Sequence, residues 1–151
     1  MEKKKNRDNI SSDEYWMSIV FMLAAKSSTG KMMIAVDSVS EKNQIVYSSR
    51  EQELCNSSKF THERSLEVDI IAHNSDLLNY TIYCNYTPDY VAVCNLFAVG
   101  VRRIIYFRTE DLSEDTQDLM ASRIIAVTPF VGNLNWMRDY ISGLGDFGIF
   151  T

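Results

Sequence analysis

The stretch from Tyr80 to Phe107, YTIYCNYTPDYVAVCNLFAVGVRRIIYF, constrains the fold more than any other part of the chain. Tyr80, Thr81, Ile82 and Tyr83 are aromatic or β-branched, as in a strand; Pro88 interrupts; an apolar run leads to Gly100; and Val101 to Phe107 resume a strand. In the middle piece Val91, Cys94, Leu96, Phe97 and Ala98 are spaced to give a helix one broad buried face, and Gly100 is where such a helix stops. Strand, helix, strand predicts a βαβ unit with a right-handed crossover.

The flanks supply the other elements. Ser11 with Glu14 fits a capping box, and Trp16, Ile19, Val20, Leu23 and Ala24 form the inward stripe of a first helix that Ser27, Ser28 and Gly30 end. Met32, Ile34 and Val36 alternate as in a half-buried strand, and a turn at Glu41-Lys42-Asn43 leads to a second strand, Gln44 to Ser48. A helix is expected from about Thr61 to His73. After Phe107, Ser113 caps a helix running to about Ser122, Ile124 to Val127 read as a strand, Pro129 and Gly132 punctuate a loop, and Asn133 to Ile141 form a last helix.

With 151 residues, 46% of them hydrophobic, the chain suits one domain over residues 11–141. It is preceded by a disordered basic arm at 1–10 (Lys3, Lys4, Lys5, Arg7) and followed by a Gly-rich apolar tail at 142–151. A net charge of -5 argues against nucleic acid as a partner. No apolar run of membrane-spanning length and no signal-peptide pattern is present, so an intracellular, cytoplasmic protein is expected, with no membrane partner. Cysteines 55, 84 and 94, without a C-x-x-C, suit free thiols in a reducing compartment.

Pro88-Asp89-Tyr90-Val91-Ala92, continuing to Gly100-Val101-Arg102-Arg103-Ile104-Ile105-Tyr106, resembles the second half of the zinc deaminase signature. That half is P-C-x-x-C, then a helix, then a G-[IV]-[KR]-R-[VI]-[VI]-Y strand, as in the deoxycytidylate (dCMP) deaminase family. The order helix, hairpin, helix, strand extends the resemblance from about Asp13 to about Tyr106. It implies a three-layer α/β/α cytidine deaminase-like fold, with a mixed five-stranded sheet and helices on both faces.

Both motif cysteines are replaced, by Asp89 and Ala92. For the other half, H-A-E-x-N-A-[IL], two registers compete. One sets His62-Glu63-Arg64 on H-A-E, which replaces the catalytic glutamate and drives Glu67 into an apolar position. The other sets Ser65-Leu66-Glu67-Val68-Asp69-Ile70-Ile71 on the motif and keeps glutamate at Glu67. The second is preferred, because burying a lone carboxylate costs more than losing one ligand match. In zinc deaminases one His and two Cys hold the ion and the glutamate moves the proton. Here the ligand positions read Ser65, Asp89 and Ala92, so no zinc or other cofactor is expected, and Glu67 is vestigial. The family's G-Y-N-G-like loop is also lost, the chain reading Tyr47 to Gln52 as YSSREQ.

The resemblance therefore implies a catalytically inactive dCMP deaminase-like protein acting through nucleotide binding, oligomeric interaction, or both. Glu67, Tyr86, Asp89 and Tyr90 are its candidate nucleotide contacts, and its partners would be a deoxynucleotide and either copies of itself or an active deaminase. An active deaminase with a non-standard site, and a pure interaction or inhibitor protein, are the alternatives. Plainer readings stand beside these. Asp89 is well placed to cap a helix, Tyr80, Tyr83, Tyr86 and Tyr90 are expected to cluster near the site and suit core and edge packing as well as base stacking, and His62, His73 and the cysteines suit packing or surface roles. Ser65, Glu67 and Asp89 offer oxygens to a hard cation such as Mg²⁺ only weakly. The tail docks either on its own domain or on a neighbour.

Overall fold

The computed structural model describes residues 12–25, 30–37, 45–49, 66–73 and 76–135. In chain order they form α1 (Ser12–Ala24), β1 (Met33–Asp37), β2 (Ile45–Ser49), α2 (Leu66–His73), β3 (Tyr80–Cys84), α3 (Tyr90–Ala98), β4 (Arg103–Tyr106), α4 (Glu114–Ala121) and β5 (Ala126–Pro129). The basic arm, Ser11, Ser65, the region 136–141 of the last expected helix and the tail lie outside the described residues.

The strands form one mixed sheet in the order β2-β1-β3-β4-β5. β1 is antiparallel to both β2 and β3, whereas β3, β4 and β5 run parallel. Side chains on a strand alternate between faces, so each central strand feeds two cores. Met33, Ala35, Ile82, Cys84, Ile104 and Tyr106 face α2 and α3, where Leu66, Ile70, Val93 and Leu96 meet them. Ile34, Val36, Tyr83 and Ile105 face α1, where Trp16, Met17, Val20 and Ala24 close the other layer. This is a helix–sheet–helix sandwich, and β3, with neighbours on both sides and helices on both faces, lies at its centre.

Two polar ties fix α1 to the sheet. The Tyr83 hydroxyl donates to Asp13 Oδ1 at 2.7 Å, and Arg103 pairs with Asp13 Oδ2 at 2.9 Å. Glu14 Oε2 accepts from Asn133 N at 2.9 Å, so the carboxylate expected in a capping box holds the loop after β5.

Three expectations need correction. The inward face of α3 is Ala92, Val93 and Leu96, with Cys94 and Phe97 half-buried, while Val91 is 62% exposed and Ala98 faces outward. The helix is thus rotated relative to the expected face, because an almost wholly apolar run lacks the polar markers that set rotation. β5 begins at Ala126 rather than Ile124 and includes Pro129. The turn after α4 passes through Arg123 in a left-handed conformation (φ 64°), leaving Ile124 exposed, and pairing starts where Ala126 N donates to Arg102 O. A proline is tolerated at the end of an edge strand, and Phe130 N still donates to Tyr106 O at 2.7 Å. The four tyrosines do not cluster: Tyr83 lies on the α1 face, Tyr80 and Tyr86 pack against the α2/α3 core, and Tyr90 is exposed.

The turn after α3 depends on one glycine. Gly100 has φ 110°, its N–H donates to Phe97 O, and Val99 O receives Leu77 N at 2.7 Å. A β-carbon there would lie 2.7 Å from Leu78 N, so the turn is stitched directly to the approach to β3.

Candidate functional site

Open α/β sheets place ligands beyond the carboxyl ends of their parallel strands. Here that is the end of β3, and the chain builds it from three sides. Asn85 Oδ1 accepts from Met32 N at 2.9 Å while its Nδ2 donates to Gly30 O at 2.7 Å, which latches the segment before β1 onto the exit of β3. Lys31, on that segment, lies 5.2 Å over the Tyr86 ring. Thr87 Oγ1 accepts from Thr109 N at 2.9 Å and Glu110 N at 3.1 Å and donates to Glu110 O at 2.9 Å, joining the loop before α3 to the loop after β4.

Asp89 then starts α3. With extended backbone (φ -86°, ψ 172°), its Oδ1 accepts from Ala92 N at 2.8 Å, the arrangement of an N-cap. Ala92 itself is 4% exposed. From the other side α2 delivers Glu67, 5% exposed. Burial raises the Glu67 carboxyl above its ordinary range, a backbone hydrogen bond opposes this in part, and the nearby Asp89 carboxylate raises it further.

Cys84 completes the floor. Its thiol donates to Tyr86 O at 3.3 Å, and burial pushes it up to about 12, so it stays a neutral thiol at physiological pH. Tyr86 is held protonated chiefly by burial, with the acidic groups of Cys84, Glu67 and Asp89 adding to the effect. The site is therefore half-apolar, with a buried carboxyl group and a phenol, and with Lys31 near its rim.

Of the expected site residues, Glu67, Tyr86 and Asp89 come together. Tyr90 does not: its hydroxyl is raised first by a hydrogen bond with the Cys94 side chain and then by the charges of Cys94 and Asp115, so it belongs to the outer side of α3 facing α4. Ser65 and His62 lie outside the described residues, as does the side chain of His73. Among the described residues, no three His, Cys, Asp or Glu side chains gather as a metal-binding group. No helix among them is long and apolar enough to cross a membrane. Sequence reasoning missed Asn85, Thr87 and Lys31; the only available signal was a set of polar residues at strand ends.

No protein-family model matches the sequence, and no curated protein matches it. Solved structures do. The apo form of dCMP deaminase from the cyanophage S-TIM5 aligns with a TM-score of 0.60 and 12% identity over 78% of this chain and 96% of that one. The same enzyme in complex with dCMP and dUMP aligns with a TM-score of 0.58 and 13% identity over 81% of this chain and 100% of that one. The likeness is one of fold: the chain has a deaminase-like fold.

Proposed function

We propose that this chain is a dCMP deaminase-like protein without zinc chemistry, which binds a deoxynucleotide at the Glu67–Tyr86–Asp89 site and acts through that binding and through association with like subunits. The observation that carries the reading is the head of α3. Where the resemblance calls for two thiolates, Ala92 has no donor atom, and Asp89 offers a hard carboxylate whose Oδ1 is already engaged by Ala92 N. Zinc deaminase sites use soft thiolates that hold the ion and set its charge. The described residues do not fit that ion. Without such an ion, water is too weak an acid to supply hydroxide near neutral pH and is a poor nucleophile. Glu67 offers paired hydrogen-bonding atoms to a pyrimidine, and Tyr86, packed against the apolar core, offers an aromatic surface.

Metal analysis of protein purified from zinc-containing medium, combined with calorimetric titration of dCMP, tests this reading. Negligible zinc with saturable dCMP binding is expected; stoichiometric zinc would overturn it. One observation favours an active enzyme instead: Glu67 is a buried carboxyl group with a raised pKa, the property of a proton-transferring acid. Ammonia release from dCMP that disappears in Glu67→Gln would establish that second reading.

A further inference from the structure

The described residues include four arginines. Arg103 pairs with Asp13 and Arg108 with Asp111. The two without a carboxylate partner among the described residues, Arg102 and Arg123, line the same cleft, an open hollow of about 430 Å³ between the end of α4 and the start of β5. Among the described residues no carboxylate lines it, in a chain of net charge -5. The cleft lies at the amino ends of β4 and β5, opposite the end of the sheet that carries Glu67 and Tyr86, so the inference is independent of the proposed nucleotide site.

Arg102 is fixed in place. Its Nη1 donates to Phe97 O at 3.0 Å and Val101 O at 2.8 Å, and its guanidinium carbon lies 4.1 Å from the centre of the Phe97 ring. A guanidinium carries five N–H donors, so donors remain on Nη2 and Nε after Nη1 is engaged. Arg123 occupies a left-handed turn position where glycine is the usual residue, and it is exposed just beyond the end of α4. Thr128 also lines the cleft, and Met120, Ile124 and Val127 give the wall an apolar part. Paired guanidiniums match the oxygens of a phosphate in a planar fork, and an adjoining apolar wall accepts a ring or short hydrocarbon.

We propose that the Arg102–Arg123 cleft is a binding site for a small organic phosphate, whose oxygens meet the two guanidiniums and whose apolar body rests on Met120 and Ile124. The test titrates the full chain with phenyl phosphate, inorganic phosphate and phenol, following the backbone amide resonances of Ile124 to Thr128. Saturable shifts are expected with phenyl phosphate, at an affinity about tenfold above that of inorganic phosphate and of phenol. Arg123→Gly removes the guanidinium while suiting the left-handed backbone, so its fold is retained and phenyl phosphate affinity is expected to fall about tenfold or more. Absent or non-saturating shifts, or undiminished affinity in Arg123→Gly, would overturn the site. Equal affinity for inorganic phosphate overturns the apolar half of the proposal, and equal affinity for phenol overturns the anionic half.

Discussion

Replacing Gly100 with alanine places a methyl carbon 2.7 Å from Leu78 N, 3.0 Å from Leu78 Cα and 3.2 Å from Leu77 C, all of them backbone atoms that no rotamer change can move aside. Two costs then add. Holding an L-residue at φ 110° costs about 1–3 kcal/mol. Displacing the Leu77–Leu78 backbone also threatens the Leu77 N to Val99 O hydrogen bond, a net loss of about 1 kcal/mol. The sum is about 2–4 kcal/mol, a fall in Tm of roughly 10 °C for a domain of this size. Gly30 supplies the internal control. Its φ is 76°, yet an added Cβ meets nothing within 4 Å, so Gly30→Ala carries only the backbone term, about 1 kcal/mol. Urea denaturation of both variants, followed by far-UV circular dichroism, measures the difference. Equal losses in the two, or a Gly100→Ala loss below about 0.5 kcal/mol, would refute the close approach of the α3 turn to the β3 entry.

Further outcomes follow from the site. Because burial holds the folded-state pKa of Glu67 above the ordinary 4.5 of a free glutamate, the native state binds more protons than the unfolded chain, and this group lowers stability as pH rises from about 4.5 upward. Glu67→Gln should therefore be more stable than the parent at pH 7, with the advantage vanishing as pH falls below 4.5; denaturation midpoints across that range check it, and a pH-independent difference counts against a raised carboxyl. Thr87→Val keeps the side-chain shape but strips the acceptor from Thr109 N and Glu110 N, and a loss of about 1–3 kcal/mol is expected in urea denaturation. The triple variant Ser65→His, Asp89→Cys, Ala92→Cys restores the ligand types of the resemblance and is expected to take up about one zinc per chain by elemental analysis; failure to bind zinc would count against the preferred register at Ser65.

What the sequence made legible follows from how local each signal is. The βαβ unit was readable because Pro88, Gly100 and the β-branched runs punctuate it within a short span, and Ser113 was readable as a cap because its partner, Thr116 N, is three residues away. The rotation of α3 was not, since YVAVCNLFA contains few polar residues to mark an outer face. Nor was the start of β5, because the choice between Ile124 and Ala126 depends on a left-handed Arg123 and on Arg102 O. In the site, Glu67 and Asp89 came from a motif. Asn85 and Thr87 take their roles from partners 53 to 55 and 22 to 23 residues away, which no periodicity encodes.

Tyr83 and Cys84 are adjacent in sequence yet serve opposite layers, one bonded to Asp13 and the other buried beneath Tyr86. The central strand therefore has a parity. Sliding β3 by a single residue between its two neighbours would bring a phenol into the apolar compartment and a thiol up to the Asp13–Arg103 pair, and every other residue of the strand would change sides with them. Length changes just before Tyr80 are consequently tolerable only if the turn absorbs them whole, and Gly100, pressed against Leu78, leaves that turn almost no slack.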